Sequence, residues 1–351
     1  MGMQLRGPGF GRDVAVDLGS TWVRAAVSGK GVCLQEPALA AVDRQSGQVL
    51  QVGEQARLLL GRTPGQLVAV RPVREGGIAD YTAAVAVLRA VLRQVLGSRF
   101  GKPRLLLGVS PGASEVEERA LLQAGLEAGA RRVYLMETPL AALTGAGADP
   151  TLPQGRMVVS LGGGVCDSAV IALNGMAASD CLAVGGDAFD EALIHYVRHK
   201  HALLLGLRTA QQVKESIGQA DEPDKPGKAL TVKGRCLNTG LPRDVSLTPA
   251  ETAEAFLPVT NRLLASVQSV LERTPPELAA DVAQSGILLT GGGSLLRGLD
   301  KKIAAATGIW AMTAQEPDSC VILGLEKALA GLHQRPDGLL NLARHRQLGG
   351  A

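Results

Sequence analysis

Two stretches of this chain are written on one template. VAVDLGSTWVRAAV (Val14–Val27) and VVSLGGGVCDSAVI (Val158–Ile171) each pass from apolar residues through one polar residue to Leu-Gly, small residues and an alternating strand. In this alignment Asp17 matches Ser160, Leu18 matches Leu161 and Gly19 matches Gly162. Each reads as a β-hairpin whose glycine turn leaves backbone N–H groups to converge on an anion. A repeat at this separation is a duplicated domain, too long a period for a solenoid. It points to two α/β lobes, each rich in strands at its start and helical afterwards.

The segments between fit that plan. Tyr81–Leu96 carries apolar residues at helical spacing, with Arg89 and Arg93 on the other face. Pro103–Ser110 is a short buried strand, and Ser114 with Glu117 forms a capping box for the helix after it. VYLMETPLAALTGAGAD is a strand that breaks into a helix at Pro139. The second half continues with a helix from about Asp187, another in TAQQVKESIGQA, and a Pro/Gly-punctuated strand-and-loop stretch. A long helix then runs to Pro275, and GILLTGGGSLLRGLDKKIAAATG reads as strand, glycine turn and helix. The expected domains are lobe I, 13–146, with a small insertion at about 34–72, and lobe II, 147–317, with one at about 183–245. Residues 318–335 are expected to pack back on lobe I, with 1–12 and 336–351 as tails.

Composition narrows the function classes. At 351 residues and 46% hydrophobic, the chain can bury two cores. Lys+Arg at 36 nearly balances Asp+Glu at 33 without a basic stripe, and aromatics are 3%, so no nucleic-acid partner is expected. The five cysteines are scattered and make no C-x-x-C pair, as in reduced cytosolic thiols. No apolar run approaches the roughly 18 residues of a spanning helix. MGMQLRGPGFGRD lacks the apolar core of a signal peptide, and Arg6 stands where myristoylation at Gly2 wants Ser or Thr. The expected location is cytoplasmic.

Three glycine turns follow apolar strands: Gly19 with Ser20 and Thr21, Gly162–Gly164, and Gly291–Gly293 with Ser294. Glycine lets a backbone approach a phosphate closely, and the third turn is expected to open a helix whose dipole adds pull on an anion. No Gly-Lys-Ser/Thr closes any of them in P-loop fashion, and GGGSLLRG lacks the βαβ context of a dinucleotide fingerprint.

From about Asp13 to about Gly331 the chain resembles the MreB family of bacterial actins, within the actin, hexokinase and heat-shock-chaperone ATPase superfamily. DLGS is similar to the family's first phosphate motif, SLGGGVCDSAVI to the second, and GILLTGGGSLLRGLDK to the adenosine motif. GRTPGQLVAVRPVREGGIADY, GARRVYLMETPLAALTGAG and VGGDAFDEALIHYVRHKHALLLGLRTAQQVKESIG resemble intervening segments. The resemblance implies an α/β, actin-like ATPase fold: two duplicated ribonuclease-H-like lobes around a nucleotide cleft, taking ATP or ADP with Mg2+. It assigns Asp17 to a magnesium contact through water, and Gly19, Ser20, Thr21 and Trp22 to the β- and γ-phosphates. Gly162, Gly163 and Gly164 would close over the phosphates from the other lobe. Gln211, Gln212, Val213 and Lys214 would lie along ribose and base, Gln211 replacing the family's Glu, and Thr290, Gly291, Gly292, Gly293 and Ser294 would border the adenine.

Around the γ-phosphate the chain departs from the family. Thr138 stands where a Glu usually precedes the proline, Ser160 where an Asp begins the second motif, and Val165 where a Thr follows the glycines. Val165 offers no hydroxyl to a water, and Ser160 no charge toward magnesium. Positioning water and neutralising charge is nearly all a protein contributes to phosphoryl transfer, so hydrolysis is expected to be slow or absent. The alternative is drift compensated by neighbours such as Asp167. The function implied is polymerisation into membrane-associated cytoplasmic filaments that control cell shape, with other MreB-like proteins and the cell-wall elongation machinery as partners. Beside it stand a non-hydrolysing scaffold that modulates an active MreB, and a small-molecule kinase using Asp187 or Asp190. Leu96 and Phe100, on a basic loop, offer either a membrane contact or packing onto their own domain. His195 and His199, at i, i+4, read as part of a solvated basic face rather than a metal pair.

Overall fold

The computed structural model describes residues 13–59, 65–97, 101–221, 227–332 and 348–349; most of the expected tails, and Phe100, lie outside them. The chain divides into two compact units, one ending at Glu137 and resuming at Val321, the other running Thr138–Cys320.

The first unit is built on a sheet in the order Gly31–Pro37, Trp22–Val27, Val14–Leu18, Arg104–Val109, Arg132–Glu137, with Leu348–Gly349 at the outer edge. Val14–Leu18 is antiparallel to Trp22–Val27 and parallel to Arg104–Val109. Its near-continuous apolar run reflects a central strand covered on both faces. Helices Tyr81–Leu96 and Glu115–Ala128 bury Leu88, Leu92, Leu121 and Leu122 in one cluster with Leu105, Leu107 and Val133. The Asp80 carboxylate accepts from the Ala83 N–H at the start of the first helix, and the Ser114–Glu117 capping box opens the second. Leu96 is buried in this core, which removes it from the membrane reading. The insertion is a small sheet of Val49–Val52, Ala40–Asp43 and Leu67–Val70 with helix Gly53–Leu59. It begins at Ala40 rather than near 34, because buried Leu34 pairs with Ala25 in the main sheet.

The second unit repeats the plan: Gly175–Leu182, Cys166–Ala172, Arg156–Leu161, Ile287–Thr290 and Ala311–Thr313 stand in the equivalent order. Register repeats as well. Leu161 faces Cys166 as Leu18 faces Val23, and Ser160 faces Asp167 as Asp17 faces Arg24. Met157, Val159 and Leu161 enter a core with Leu263, Phe189 and Phe256, whose two rings meet edge-on at 5.2 Å. Helix Pro249–Glu272 starts on a Thr248–Glu251 capping box. The small sheet of Leu203–Leu204, Leu230–Cys236 and Pro242–Leu247 extends the expected insertion to Leu247. Helix Thr138–Gly145 groups with this unit, so the border falls ahead of the expected 146, while residues from Val321 group with the first unit. Among the described residues no helix is long and apolar enough to cross a membrane.

Candidate functional site

In the first unit, the Gly19 N–H donates to the Trp22 carbonyl at 3.0 Å and closes the turn of the first hairpin. Ser20 is buried beneath it, while Trp22 is 39% exposed and displays an indole at the turn's exit. Asp17 and buried Arg24 stand directly across the two strands, on one face. Burial pushes the Asp17 carboxyl up to about 6, and the Arg24 guanidinium opposes only part of that rise. A carboxylate held at such a cost marks a place suited to a cation.

The second hairpin is closed in the same way, Gly162 N–H to Val165 carbonyl at 2.8 Å. Its turn is also docked. The Gly162 and Gly163 carbonyls accept from the Gly186 and Asp187 N–H groups, 2.9 and 2.8 Å, at the start of helix Gly186–His201. That helix start is therefore spent on the turn itself. No side chain fits at Gly185, where a Cβ would lie 2.5 Å from the Gly163 carbonyl carbon and oxygen. Lys214, on helix Leu207–Ile217, completes the mount: its Nζ donates to the Gly186 carbonyl at 2.7 Å and to Asp190 Oδ2 at 2.8 Å. Burial pushes Asp190 up to about 6 against the pull of Lys214. The structure thus commits the Lys214 ammonium to the support of the second glycine turn, and occupies the Asp190 that a kinase reading would use.

The neighbours of Lys214 divide by helix face. Gln211 donates its amide to Glu215 at 2.9 Å, and Gln212 is exposed. Val213 is fully buried with Ala210 and Ile217 in the core. Its side chain lies on the apolar stripe of an amphipathic helix, turned into the core rather than toward the surface.

The third turn differs from expectation. Residues 292–295 form a single 3-10 turn, and α-helix Leu299–Thr307 begins only after Gly298, so no α-helix dipole acts at the glycines. Gly291 has φ +80° and donates its N–H to the Pro317 carbonyl at 2.6 Å. A Cβ at Gly291 would sit 2.3 Å from the Leu161 carbonyl oxygen, and one at Gly293 2.4 Å from Leu161 Cγ. These two glycines seat the turn on the second hairpin, and Gly292 remains exposed. Ser294 is buried and donates its hydroxyl to the Gly291 carbonyl at 2.7 Å. Thr290 is fully buried, its hydroxyl without a partner.

Of the positions that depart from the family, Thr138 opens helix Thr138–Gly145 and donates its hydroxyl to Asp167 Oδ2 at 2.5 Å. Glu137 ends the preceding strand, buried, in the other unit. Ser160 lies across from Asp167 and, in parallel register, beside Thr290. Val165 gives the turn its carbonyl. Ser160 and Asp167 are brought side by side by strand register, and Thr138 reaches Asp167 from the start of a helix, so sequence spacing alone does not join the three. The bracing of Asp190 and Gly186 by Lys214 leaves no sequence signal beyond the spacing of the charges. Elsewhere, His195 and His199 are exposed with ring centroids 4.3 Å apart, and no metal-ligating cluster of three occurs among the described residues. All five cysteines are free thiols.

Residues 11–336 match the family model described as MreB/Mbl protein. The chain is 38% identical over 328 residues to the cell shape-determining protein Mbl of Bacillus subtilis, covering 93% of this chain and 98% of that protein. To the cell shape-determining protein MreB of Escherichia coli it is 41% identical over 326 residues, 91% of this chain and 94% of that one. Crystal structures of Spiroplasma citri MreB5 bound to ADP and to AMPPNP superpose with a TM-score of 0.88 at 30% identity, covering 93% and 94% of this chain and 98% and 99% of those chains. The MamK double helical filament shares the fold, with a TM-score of 0.74 at 18% identity over 90% of this chain and 98% of that chain.

Proposed function

Because this chain belongs to the MreB/Mbl family, we propose that it binds ATP and ADP with magnesium and polymerises with itself into filaments that act in cell-shape determination. The observation that carries the nucleotide part is the duplicated hairpin: two glycine turns closed by the same N–H···O bond, the second mounted on Lys214. The Spiroplasma relative crystallised with ADP and with AMPPNP supports it. The cell-shape role rests on relatives at 38% and 41% identity that carry that description. The residues fit magnesium: desolvated Asp17 is only partly countered by Arg24, and oxygen donors suit a hard cation. Bound there, the cation would supply charge neutralisation at the phosphates. This chain's own residues do the rest, the turns presenting backbone amides and Lys214 holding the second turn in place.

Hydrolysis is slow or absent in this reading, because Thr138 supplies no carboxylate and Val165 no hydroxyl to orient a water, and Ser160 no charge toward magnesium. The filaments are cytoplasmic and lie at the inner face of the membrane, with other MreB-like proteins and the cell-wall elongation machinery as partners. Calorimetric titration of ATP and ADP with magnesium, electron microscopy with ATP and lipid vesicles, and phosphate-release measurements test the proposal. Absence of nucleotide binding, or of filaments with ATP, overturns it. Turnover matching that of an MreB with all three family residues overturns the hydrolysis part.

A further inference from the structure

Two hairpin ends of the second unit present leucines that the fold leaves uncovered. The turn between Cys166–Ala172 and Gly175–Leu182 puts Leu173 and Asn174 at φ +50° and +61°, the left-handed pair of a two-residue type I′ turn. Glycine or asparagine takes the first of these positions readily, whereas a leucine there is strained. Leu173 is also 67% exposed, so burial does not offset the strain. The turn is clamped to the loop before Arg156–Leu161: Leu173 N–H donates to the Leu152 carbonyl at 2.9 Å, and Asn174 N–H to the Pro150 carbonyl at 2.6 Å. Leu152 is exposed as well, so the two leucines share one braced platform. Residues 146–155 and 172–179 hold a single charged side chain, Asp149. Thr151 donates its hydroxyl and its N–H to Asp149 Oδ1 at 2.6 and 2.9 Å, which holds that carboxyl below the usual carboxylate range.

The other end is the turn between Leu230–Cys236 and Pro242–Leu247. Cys236 N–H donates to the Leu241 carbonyl and Gly240 N–H to the Cys236 carbonyl, both at 2.9 Å, and Leu237 N–H to the Ala202 carbonyl at 2.8 Å. On this fixed backbone Leu237 is exposed, and Leu241 is 65% exposed. Residues 234–243 hold two charged side chains, Arg235 and Arg243, both cationic and exposed. Apolar patches with a polar rim mark contact surfaces.

We propose that these ends are the two faces of one contact between copies of this chain, the leucine platform of one copy receiving the leucine tip of the next, with the arginines set toward Asp149. This rests on the polymer reading above and names its contact surface. Each patch complements the other in charge rather than itself, since two anionic platforms or two cationic tips would repel. A contact between unlike patches is heterologous, and it repeats as an open filament wherever its rotation does not close a ring.

The test is the critical concentration for polymerisation of the full chain with ATP and magnesium, read by sedimentation, beside denaturant unfolding. L173N relieves the turn, so it should unfold at the same or higher denaturant than the parent, yet raise the critical concentration by about tenfold or more. L241S should raise it comparably with unfolding unchanged. D149R and R235D should each raise it roughly threefold, and D149R/R235D should return it to within about twofold of the parent. An unchanged critical concentration in L173N or L241S overturns the proposal, and so does a double reversal no better than the single ones. If L173N kept its critical concentration but lost binding to anionic lipid vesicles, the platform would be a membrane contact and the proposal overturned. A parent that forms no polymer with ATP or ADP overturns the polymer reading, and this surface with it. Should L173N unfold earlier than the parent, L241S and the charge reversals decide by the same criteria.

Discussion

Replacing Asp17 with Asn should stabilise the nucleotide-free protein at neutral pH. Burial raises the Asp17 carboxyl from 3.8 to about 6. One pKa unit corresponds to about 1.36 kcal/mol, so keeping Asp17 ionised in the fold costs up to about 3 kcal/mol. The residue keeps partial exposure although desolvation dominates its shift, and water at that open edge brings the cost to about 2 kcal/mol. The sign follows from the raised native value. As pH rises from about 4 the unfolded chain gives up this proton first, so native stability falls until the folded carboxyl has also ionised, above about pH 6. D17N carries no charge and escapes that fall. Its advantage should be near zero at about pH 4 and about 2 kcal/mol at about pH 7.5, roughly 4–8 °C in Tm for a unit of this size.

The measurement is thermal unfolding in EDTA across that pH range, followed by Trp22 fluorescence in a W310F background. The two tryptophans lie in different units, so Trp22 reports the first unit's transition. Magnesium with nucleotide should reverse the ranking, because only the parent offers the cation a carboxylate at this position. Equal or lower stability of D17N at about pH 7.5, or an advantage that does not change with pH, would refute the reasoning.

Three further outcomes are expected. G185A should cost about 1–3 kcal/mol and weaken nucleotide affinity together, because its Cβ would press 2.5 Å from the Gly163 carbonyl; denaturant unfolding and calorimetry check both. K214M should cost about 3–5 kcal/mol near pH 7 by leaving Asp190 buried without its cation, and the loss should shrink as pH falls toward about 6, because Asp190 without the ammonium takes up its proton at higher pH than in the parent; unfolding at several pH values reads this. V213A should cost about 2 kcal/mol from lost core packing with nucleotide affinity unchanged, which calorimetry at matched folded fractions separates from a ligand contact.

Much of the fold was legible because its elements carry local signals. The Ser114–Glu117 box, the helix Tyr81–Leu96 and the duplicated hairpin depend on residues close in sequence, and all three stand where the pattern places them. The border near residue 146 was not legible, because whether helix Thr138–Gly145 groups with the strand before it or the sheet after it is decided by tertiary packing. The same limit applies at the site. Val213 sits inside a motif, but the phase of the helix turns its side chain to the core. The glycines of the third turn read as phosphate binders, yet Gly291 and Gly293 are required by the approach of Leu161, a residue from another strand. Lys214 is chemically apt for a ligand, and only the folded chain shows its ammonium already bound to Asp190 and the Gly186 carbonyl.

The positions that depart from the family are coupled, and that coupling yields a sharper expectation than counting lost groups. Thr138 donates a hydrogen bond to Asp167, which a carboxylate at position 138 could do only when protonated. T138E would therefore set a half-buried carboxylate within contact distance of buried Asp167. At an effective dielectric near 20 their repulsion is about 2–4 kcal/mol, unless one takes up a proton or a cation lies between them. In EDTA at about pH 7.5, T138E should unfold at lower denaturant than the parent, and the deficit should close both as pH falls and as magnesium-nucleotide is added. T138Q keeps the added bulk without the charge, and should show neither recovery. If T138E were as stable as the parent in EDTA, Thr138 and Asp167 would be independent positions, and three unrelated drifts would explain the site better. If the deficit appears and is relieved by the cation, the threonine hydroxyl is the uncharged partner that Asp167 accepts from in place of a second carboxylate. Restoring the family's glutamate at position 138 alone would then make the site depend on magnesium before it restored any hydrolysis.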